Sequence, residues 1–159
     1  MSFDIAKEHL VKLGLGDRIY AFEVSSATVE LAAQAVGCEP ARIAKTLSFM
    51  AVDGPVLIVA AGDAKVDNHK YKEEFKTKAK MLTPDQVTGL VGHGVGGVCP
   101  FGIRDGVRVY LDESLKRFDT VYPACGSASS AVRLGIPELE LASGYEKWVD
   151  VCKGWQELS

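Results

Sequence analysis

The sequence predicts an α+β fold: a single domain, residues 1–159, with a mixed β-sheet and helices packed against it. First, residues 43–61 contain two apolar, β-branched runs on either side of Asp53 and Gly54, and this arrangement is a strong hairpin signal. Second, further strand-like and helical segments follow without strict βαβ alternation. Third, 159 residues are enough to form one full hydrophobic core.

The elements before the hairpin are short. Residues 3–13 carry apolar side chains at helical spacing and predict a helix. Residues 18–24 alternate weakly between polar and apolar, which indicates a strand. Residues 29–36 repeat the helical stripe, and Ser25 and Ser26 offer caps for that helix. The N-terminal part of the chain therefore predicts a helix–strand–helix order.

The elements after the hairpin have clearer boundaries. Residues 68–75 predict a helix, and a second helix begins where Thr83 caps, Pro84 takes the first position and Gln86 completes a capping box. The remaining predicted elements are strands at residues 107–111, 120–124, 131–134 and 148–151 and a helix from Pro137 to about residue 142.

The glycine-rich segment 92–102 is the second informative stretch. Gly92, Gly94 and Gly97 literally match the dinucleotide fingerprint GxGxxG, but that motif needs a strand before it and a helix after it. Here a helix precedes it and Pro100 blocks helix propagation, so we reject a nicotinamide cofactor. Dense glycines instead indicate a sharp turn whose N–H groups form an anion-binding nest, and a flexible connection is the alternative.

Lys45 occupies an unusual place in the first hairpin strand. With period-two alternation it shares a face with Ile43, Leu47 and Phe49, the face that most resembles a core. A buried, unpaired ammonium is costly, so this lysine must leave the end of the sheet or meet an anion. A side chain that keeps its charge in water by snorkelling is the alternative.

The charge is unevenly distributed. A net charge of −3 argues against simple nonspecific binding to a nucleic acid backbone. Residues 65–80, however, hold six lysines against three acidic residues, which gives this segment a charge of +3. A local basic patch of this kind predicts contact with RNA phosphates, and a solvated helix face is the alternative. The lysines are Lys65, Lys70, Lys72, Lys76, Lys78 and Lys80.

Cysteine and histidine usage gives no support for a metal site. The four cysteines never form CxxC and the chain has only three histidines, so we predict no metal and no cofactor. Cys99 or Cys125 as a catalytic nucleophile stays open, although no histidine lies in a recognisable partner pattern. The sequence shows neither a signal peptide nor an apolar run of roughly 20 residues, which predicts a cytoplasmic protein without membrane association.

A set of short motifs, in order, resembles the YbaK-type aminoacyl-tRNA deacylase family, whose domain also occurs as the editing insertion of bacterial prolyl-tRNA synthetases. The resemblance covers roughly residues 25–142. The motifs that carry it are the helix at residues 28–33, the strand at residues 43–47 with Lys45, Gly62-Asp63, the loop at residues 96–102, residues 109–112, and Gly126-Ser127.

The resemblance implies a curved, partly barrel-like mixed sheet with helices outside, and hydrolysis of the ester that joins a wrong amino acid to its tRNA. It also implies a mischarged aminoacyl-tRNA and an aminoacyl-tRNA synthetase as partners. The implied catalytic groups are Lys45 and the loop amides of Gly96, Gly97 and Val98, and the implied substrate-binding residues are Phe49, Gly62, Asp63, Pro100, Gly126, Ser127 and Ser129.

The segment at residues 126–131 departs from the glycine- and basic-rich form of the cysteine-specific branch. Cysteine is therefore not assigned as the amino acid removed, and a small residue such as alanine or serine is equally compatible. The alternative function is a noncatalytic module of the same fold that binds tRNA or a synthetase.

Overall fold

The computed structural model describes residues 2–23, 25, 28–94 and 96–155. The predicted α+β class is confirmed, with a six-stranded mixed sheet that curls into a half-barrel. The helices are α1 (Ser2–Lys12), α2 (Val29–Val36), α3 (Asn68–Phe75), α4 (Pro84–Gln86) and α5 (Ile136–Ser143). The strands are β1 (Ile19–Ala21), β2 (Ile43–Ala51), β3 (Gly54–Ala61), β4 (Lys65–Val66), β5 (Arg108–Asp112), β6 (Thr120–Pro123), β7 (Ser130–Val132), β8 (Leu134–Gly135), β9 (Lys147–Val149) and β10 (Cys152–Lys153).

The main sheet has the strand order β8-β6-β2-β3-β5-β9. Its centre is the antiparallel pair β2–β3, and parallel pairs join β2 to β6, β3 to β5 and β5 to β9. Two further antiparallel pairs, β1–β7 and β4–β10, form small separate ladders. Within the described residues, no helix is long and apolar enough to cross a membrane.

The predicted hairpin is confirmed, with its turn one residue earlier than predicted. Ala51 pairs with Gly54, so Val52 and Asp53 form the two-residue connection and Gly54 begins β3 with φ of +124°. The segment of β3 from Val56 onward is fully buried, as expected for a central strand covered on both faces.

The edge of β2 opposite β3 is paired only in part. At its start, Ile43 and Ala44 pair with β6. Near its end, the Met50 N–H donates to the Lys80 carbonyl at 2.9 Å, and the Leu82 N–H donates to the Ser48 carbonyl at 3.1 Å. Between these two stretches the main sheet opens beside residues 45–47, and this opening defines the candidate site.

Several boundaries differ from the predicted ones. The hydroxyl of Thr28, rather than Ser25, caps α2 by accepting from the Leu31 N–H at 3.1 Å; Ser26 lies outside the described residues. Strand β1 is shorter than predicted, and Val24 also lies outside the described residues. The strand predicted at residues 131–134 divides at Arg133, because β7 pairs with β1 whereas β8 pairs with β6.

The helical predictions in the second half hold closely. Helix α3 spans the predicted residues, and the Thr83–Gln86 capping box is present at the start of α4. The strand predicted at residues 148–151 is offset, because β9 ends at Val149 and the chain then turns to form β10 beside β4.

Candidate active site

A cavity of about 450 Å³ fills the opening beside β2. Its floor is β2 from Ile43 to Ser48, and one wall is the face of α2 with Val29 and Ala32. The remaining walls come from the segment around Met81–Val87, the glycine-rich loop, and the ends of β6 and β7. Most of these groups are apolar, so polar ligand groups entering the cavity meet few competing partners.

Lys45 borders this cavity, and its ammonium group is anchored at the strand end. Its Nζ donates to the Gly62 carbonyl at 3.3 Å and to the Ala64 carbonyl. Burial is the largest effect on this half-buried group and lowers the pKa of Lys45 from its usual 10.5, with Cys152 and Asp63 opposing the shift. An ammonium has three N–H donors, so two fix its position and one remains for a ligand.

The glycine-rich loop borders the same cavity. Gly96, with φ of +92°, and Val98 both border it. Gly97 is buried against the neighbouring loop, where an added Cβ would lie 2.5 Å from the Ser127 nitrogen and 2.6 Å from the Gly126 carbonyl carbon. Only glycine allows the two backbones to approach this closely, so Gly97 fixes the position of its neighbours.

The structure thus brings Lys45, Gly96 and Val98 to one cavity, although they are about 50 positions apart in the chain. Gly62 joins the arrangement through its carbonyl bond to Lys45. A cation and backbone amides around an apolar cavity can stabilise negative charge that develops on a bound carbonyl oxygen.

Three predicted substrate-binding residues lie elsewhere. Phe49 does not border the cavity; its ring is 5.1 Å from that of Tyr71 in the core, and only 3% of the residue is exposed. The reason is that the segment at residues 80–82 pairs along the end of β2 and closes the cavity before Phe49. Pro100 lines a separate cleft beside α1. The Asp63 carboxylate forms a bidentate salt bridge with the Arg117 guanidinium, with N–O distances of 2.6 and 3.0 Å.

The predicted residues of the serine-rich loop lie behind the cavity wall. Gly126, Ser127 and Ser129 do not border it, whereas Ser130 does. The Ser127 hydroxyl donates to the Ser130 hydroxyl at 2.8 Å and accepts from the Ser129 N–H at 3.3 Å. Which serine faces the cavity depends on the pairing of Ala21 with Ser130, a nonlocal contact that the sequence pattern did not reveal.

Thr46 is a cavity residue that sequence reasoning missed. Its hydroxyl is buried and has no hydrogen-bond partner among the described residues. The Ser48 carbonyl and the Met50 N–H point away from β3, toward residues 80–82. Because backbone groups in a strand repeat their direction every second residue, the N–H and C=O of Thr46 point away from β3 as well, into the opening. The only feature of the sequence that could have identified Thr46 as a cavity residue was its position next to Lys45.

Of the six lysines in residues 65–80 that were predicted to contact RNA phosphates, one is held by other protein groups. Lys70 is held by the Asp150 carboxylate and the Cys152 carbonyl, both at 3.1 Å. The other five are exposed, and we call them the basic surface: Lys65, Lys72, Lys76, Lys78 and Lys80. Lys80 directly precedes Met81 on the cavity wall, so the basic surface reaches the cavity.

The buried cysteines are poor candidates for a nucleophile. Burial raises the pKa of both Cys99 and Cys125 to about 12, which keeps them as thiols at neutral pH. His93 lies 3.5 Å from the Cys99 sulfur, but burial also lowers the pKa of His93, and its Nε2 lies 2.7 Å from the Phe101 carbonyl oxygen. Among the described residues, no three His, Cys, Asp or Glu side chains are grouped to hold a metal.

A family profile described as an aminoacyl-tRNA editing domain matches residues 23–141. The chain belongs to the aminoacyl-tRNA editing domain family, and the resemblance seen in its sequence is confirmed. Membership supports a role in tRNA editing.

Similar proteins include one of full length. The chain is 50% identical over 157 residues to YwhH, an uncharacterized protein of Bacillus subtilis (strain 168), covering 98% of this chain and 100% of that protein. It is 31% identical over 90 residues to a proline–tRNA ligase of Thermotoga neapolitana, covering 56% of this chain and 15% of the ligase. A crystal structure described as a candidate trans-editing enzyme for prolyl tRNA synthetase has a TM-score of 0.87 at 30% identity, covering 96% of this chain and 98% of that one.

Proposed function

We propose that this protein is a trans-editing hydrolase that cleaves the ester of mischarged aminoacyl-tRNA carrying a small amino acid. One observation carries the proposal: Lys45, Gly96 and Val98 border the same apolar cavity. Family membership and the similarity to a candidate trans-editing enzyme support the choice of substrate class.

The chemistry needs little from side chains. Water attacks the ester carbonyl carbon, the carbonyl oxygen becomes an oxyanion, and the bond to the ribose oxygen then breaks as that oxygen takes up a proton. An aminoacyl ester is already activated, so positioning and charge stabilisation are the main requirements. The Gly97 N–H is already bonded to the Gly94 carbonyl at 3.1 Å, so the predicted role of that amide falls to its neighbours. In our proposal the amides of Gly96 and Val98 face the oxyanion, and the free N–H of Lys45 binds the ribose oxygen on which negative charge develops as the ester bond breaks.

The shape of the cavity favours a small amino acid. Its apolar walls on α2 and β2 leave about 450 Å³ for both the terminal ribose and the side chain. A synthetase pocket rejects a side chain smaller by one methylene by only about 1–3 kcal/mol, so a second pocket of different shape adds discrimination. The basic surface next to Met81 supplies cations for the tRNA backbone.

A panel of charged tRNAs tests the proposal. Purified protein is incubated with proline-specific tRNA carrying alanine, serine, cysteine or proline, and loss of the ester is measured against the uncatalysed rate. We expect faster loss for at least one small noncognate amino acid and no acceleration for proline. Ester loss at the uncatalysed rate throughout the panel would overturn the proposal, and salt-sensitive tRNA binding in that case would favour the noncatalytic module.

Thr46→Val tests whether the unpartnered hydroxyl serves the substrate. The swap nearly conserves shape, so removing a buried hydroxyl with no partner among the described residues should leave stability unchanged or raise it by about 1 kcal/mol. In contrast, kcat/KM for deacylation should fall about tenfold, as expected when one hydrogen bond to substrate is lost. Denaturant unfolding and initial rates measure the two effects.

Thr120→Val is the matched control for that experiment, because Thr120 lies on β6 outside the cavity lining. It should leave kcat/KM unchanged. Full activity in Thr46→Val would show that the hydroxyl does not contact the substrate.

A further inference from the structure

Three aromatic rings form a cluster beside the cavity. The centroid of the Tyr20 ring is 6.4 Å from that of Phe22 and 6.3 Å from that of Tyr122. Tyr122 itself borders the cavity, whereas Tyr20 is 36% exposed and Phe22 is partly exposed. We call Tyr20, Phe22 and Tyr122 the aromatic platform; it extends from the cavity wall to the protein surface.

The small β1–β7 ladder fixes the position of this platform relative to the cavity. Tyr20 pairs directly with Ala131, and Ala131 borders the cavity. Directly paired residues of antiparallel strands project to the same face, so the Tyr20 ring lies on the face of the ladder toward which Ala131 points. The Phe22 N–H donates to the Ser129 carbonyl at 2.8 Å, which continues this pairing by one residue.

Positive charge lies at the end of this ladder. Arg18 ends a 3₁₀ turn just before β1, and the Arg133 N–H donates to the Arg18 carbonyl at 3.0 Å, which places the two arginines side by side next to the Ile19–Val132 pair. Arg18 is paired with Glu138 at 2.6 Å, whereas the Arg133 side chain is exposed. Exposed aromatic faces next to an arginine are the combination that binds unpaired nucleotides.

We propose that the aromatic platform binds the base of the 3′-terminal nucleotide of the tRNA. The inference rests on the proposed function, because an ester held in the cavity places its own ribose there and the base attached to that ribose at the rim. Tyr122 forms that rim, and Tyr20 and Phe22 extend it outward. Arg133 then lies where it can meet a backbone phosphate. The aromatic platform thus favours binding of esters that are attached to a complete terminal nucleotide.

The test uses binding rather than turnover. The probe is an RNA stem-loop with a single-stranded CCA end that carries alanine through an amide, which the proposed hydrolysis does not consume. A second RNA has the same backbone but lacks the terminal base. Wild-type protein should bind the complete RNA about tenfold more tightly than the abasic RNA, the size expected for one stacked base.

Variants at Tyr20 identify the surface responsible. Tyr20→Leu keeps an apolar side chain but removes the ring, and it should bind the complete RNA about tenfold more weakly than wild type while binding the abasic RNA equally well. Tyr20→Phe is the matched control because it keeps the aromatic face, and it should behave as wild type. Since Tyr20 is partly exposed, both variants should keep the wild-type Tm within a few degrees.

Several results would overturn the inference. For the wild-type protein, these are equal affinity for the two RNAs or no binding of the complete RNA. For Tyr20→Leu, they are an equal loss of affinity for both RNAs, or a loss of affinity for a synthetase with no loss for either RNA. Because the probe is an amide, a base preference without ester hydrolysis in the tRNA panel would refute the hydrolase and leave this site standing. Ester hydrolysis together with equal affinity for the two RNAs would support the hydrolase and refute this base-binding site.

Discussion

Lys45→Met should lower the rate of deacylation by about 100- to 1000-fold, the cost of losing one preorganised donor to developing negative charge. Methionine fills a similar volume but carries no donor, so the ligand in the cavity loses its cation. The two carbonyls that hold the ammonium, those of Gly62 and Ala64, lie in the turn after β3, and Ala64 is fully buried. Loss of the ammonium leaves a buried carbonyl without this donor, which costs about 1–3 kcal/mol of stability. We therefore expect a Tm lowered by several degrees, measured beside single-turnover rates of the folded variant.

Two further variants interpret the loss in Lys45→Met. Lys12→Met controls for the loss of any lysine, and Lys45→Arg keeps the charge at position 45 but changes the shape of the cation. Lys12 lies on α1 with an exposed side chain, and its replacement should leave the rate unchanged. Lys45→Arg keeps a charge but replaces a compact ammonium with a planar group, and it should retain only part of the activity. Wild-type rates in Lys45→Met would refute a role for this cation in the reaction.

The pH profile adds a signature that a structural role would not produce. Burial lowers the pKa of Lys45, so its charge is present below that lowered value and is lost as the pH rises through it, before the usual 10.5 is reached. After subtraction of spontaneous ester hydrolysis, the wild-type rate should fall over this range. Lys45→Arg should not show that fall, because a guanidinium stays charged.

The sequence predicts the parts of this fold that local interactions determine. The hairpin, helix α3 and the Thr83–Gln86 capping box follow from turn chemistry, periodicity and caps, all of which act within a few residues. The division of one predicted strand at Arg133 could not be predicted in the same way, because it arises when β7 and β8 pair with different partners.

The candidate site shows the same limit more sharply. Lys45 stands out because a charge interrupts an apolar face, and the glycine loop stands out by composition. Phe49 shares that face in the sequence pattern but is shielded from the cavity by residues 80–82, which follow it by 31 to 33 positions. Thr46 and Ser130 enter the site through strand edges and register, and single-sequence patterns do not specify these.

Gly97→Ala should also reduce deacylation strongly, by about 100-fold, although Gly97 contributes no side chain. The new methyl group would lie 2.5 Å from the Ser127 nitrogen and 2.6 Å from the Gly126 carbonyl carbon, both of them backbone atoms that cannot rotate away. The two loops must therefore separate, and the amides of Gly96 and Val98 move with them. Overpacking of this kind costs about 1–3 kcal/mol of stability, which thermal unfolding will show.

Gly94→Ala distinguishes this effect from a general intolerance of the loop. An added Cβ at Gly94 meets nothing within 4 Å, although Gly94 accepts a hydrogen bond from the Gly97 N–H at 3.1 Å in the same turn. Its activity and Tm should match those of wild type. Because Gly97→Ala leaves Lys45 and the walls on α2 and β2 unchanged, a folded variant that binds the amide-linked RNA but fails to hydrolyse the ester would place the defect in the loop amides. A fully active Gly97→Ala would instead mean that the reaction does not depend on where those amides lie.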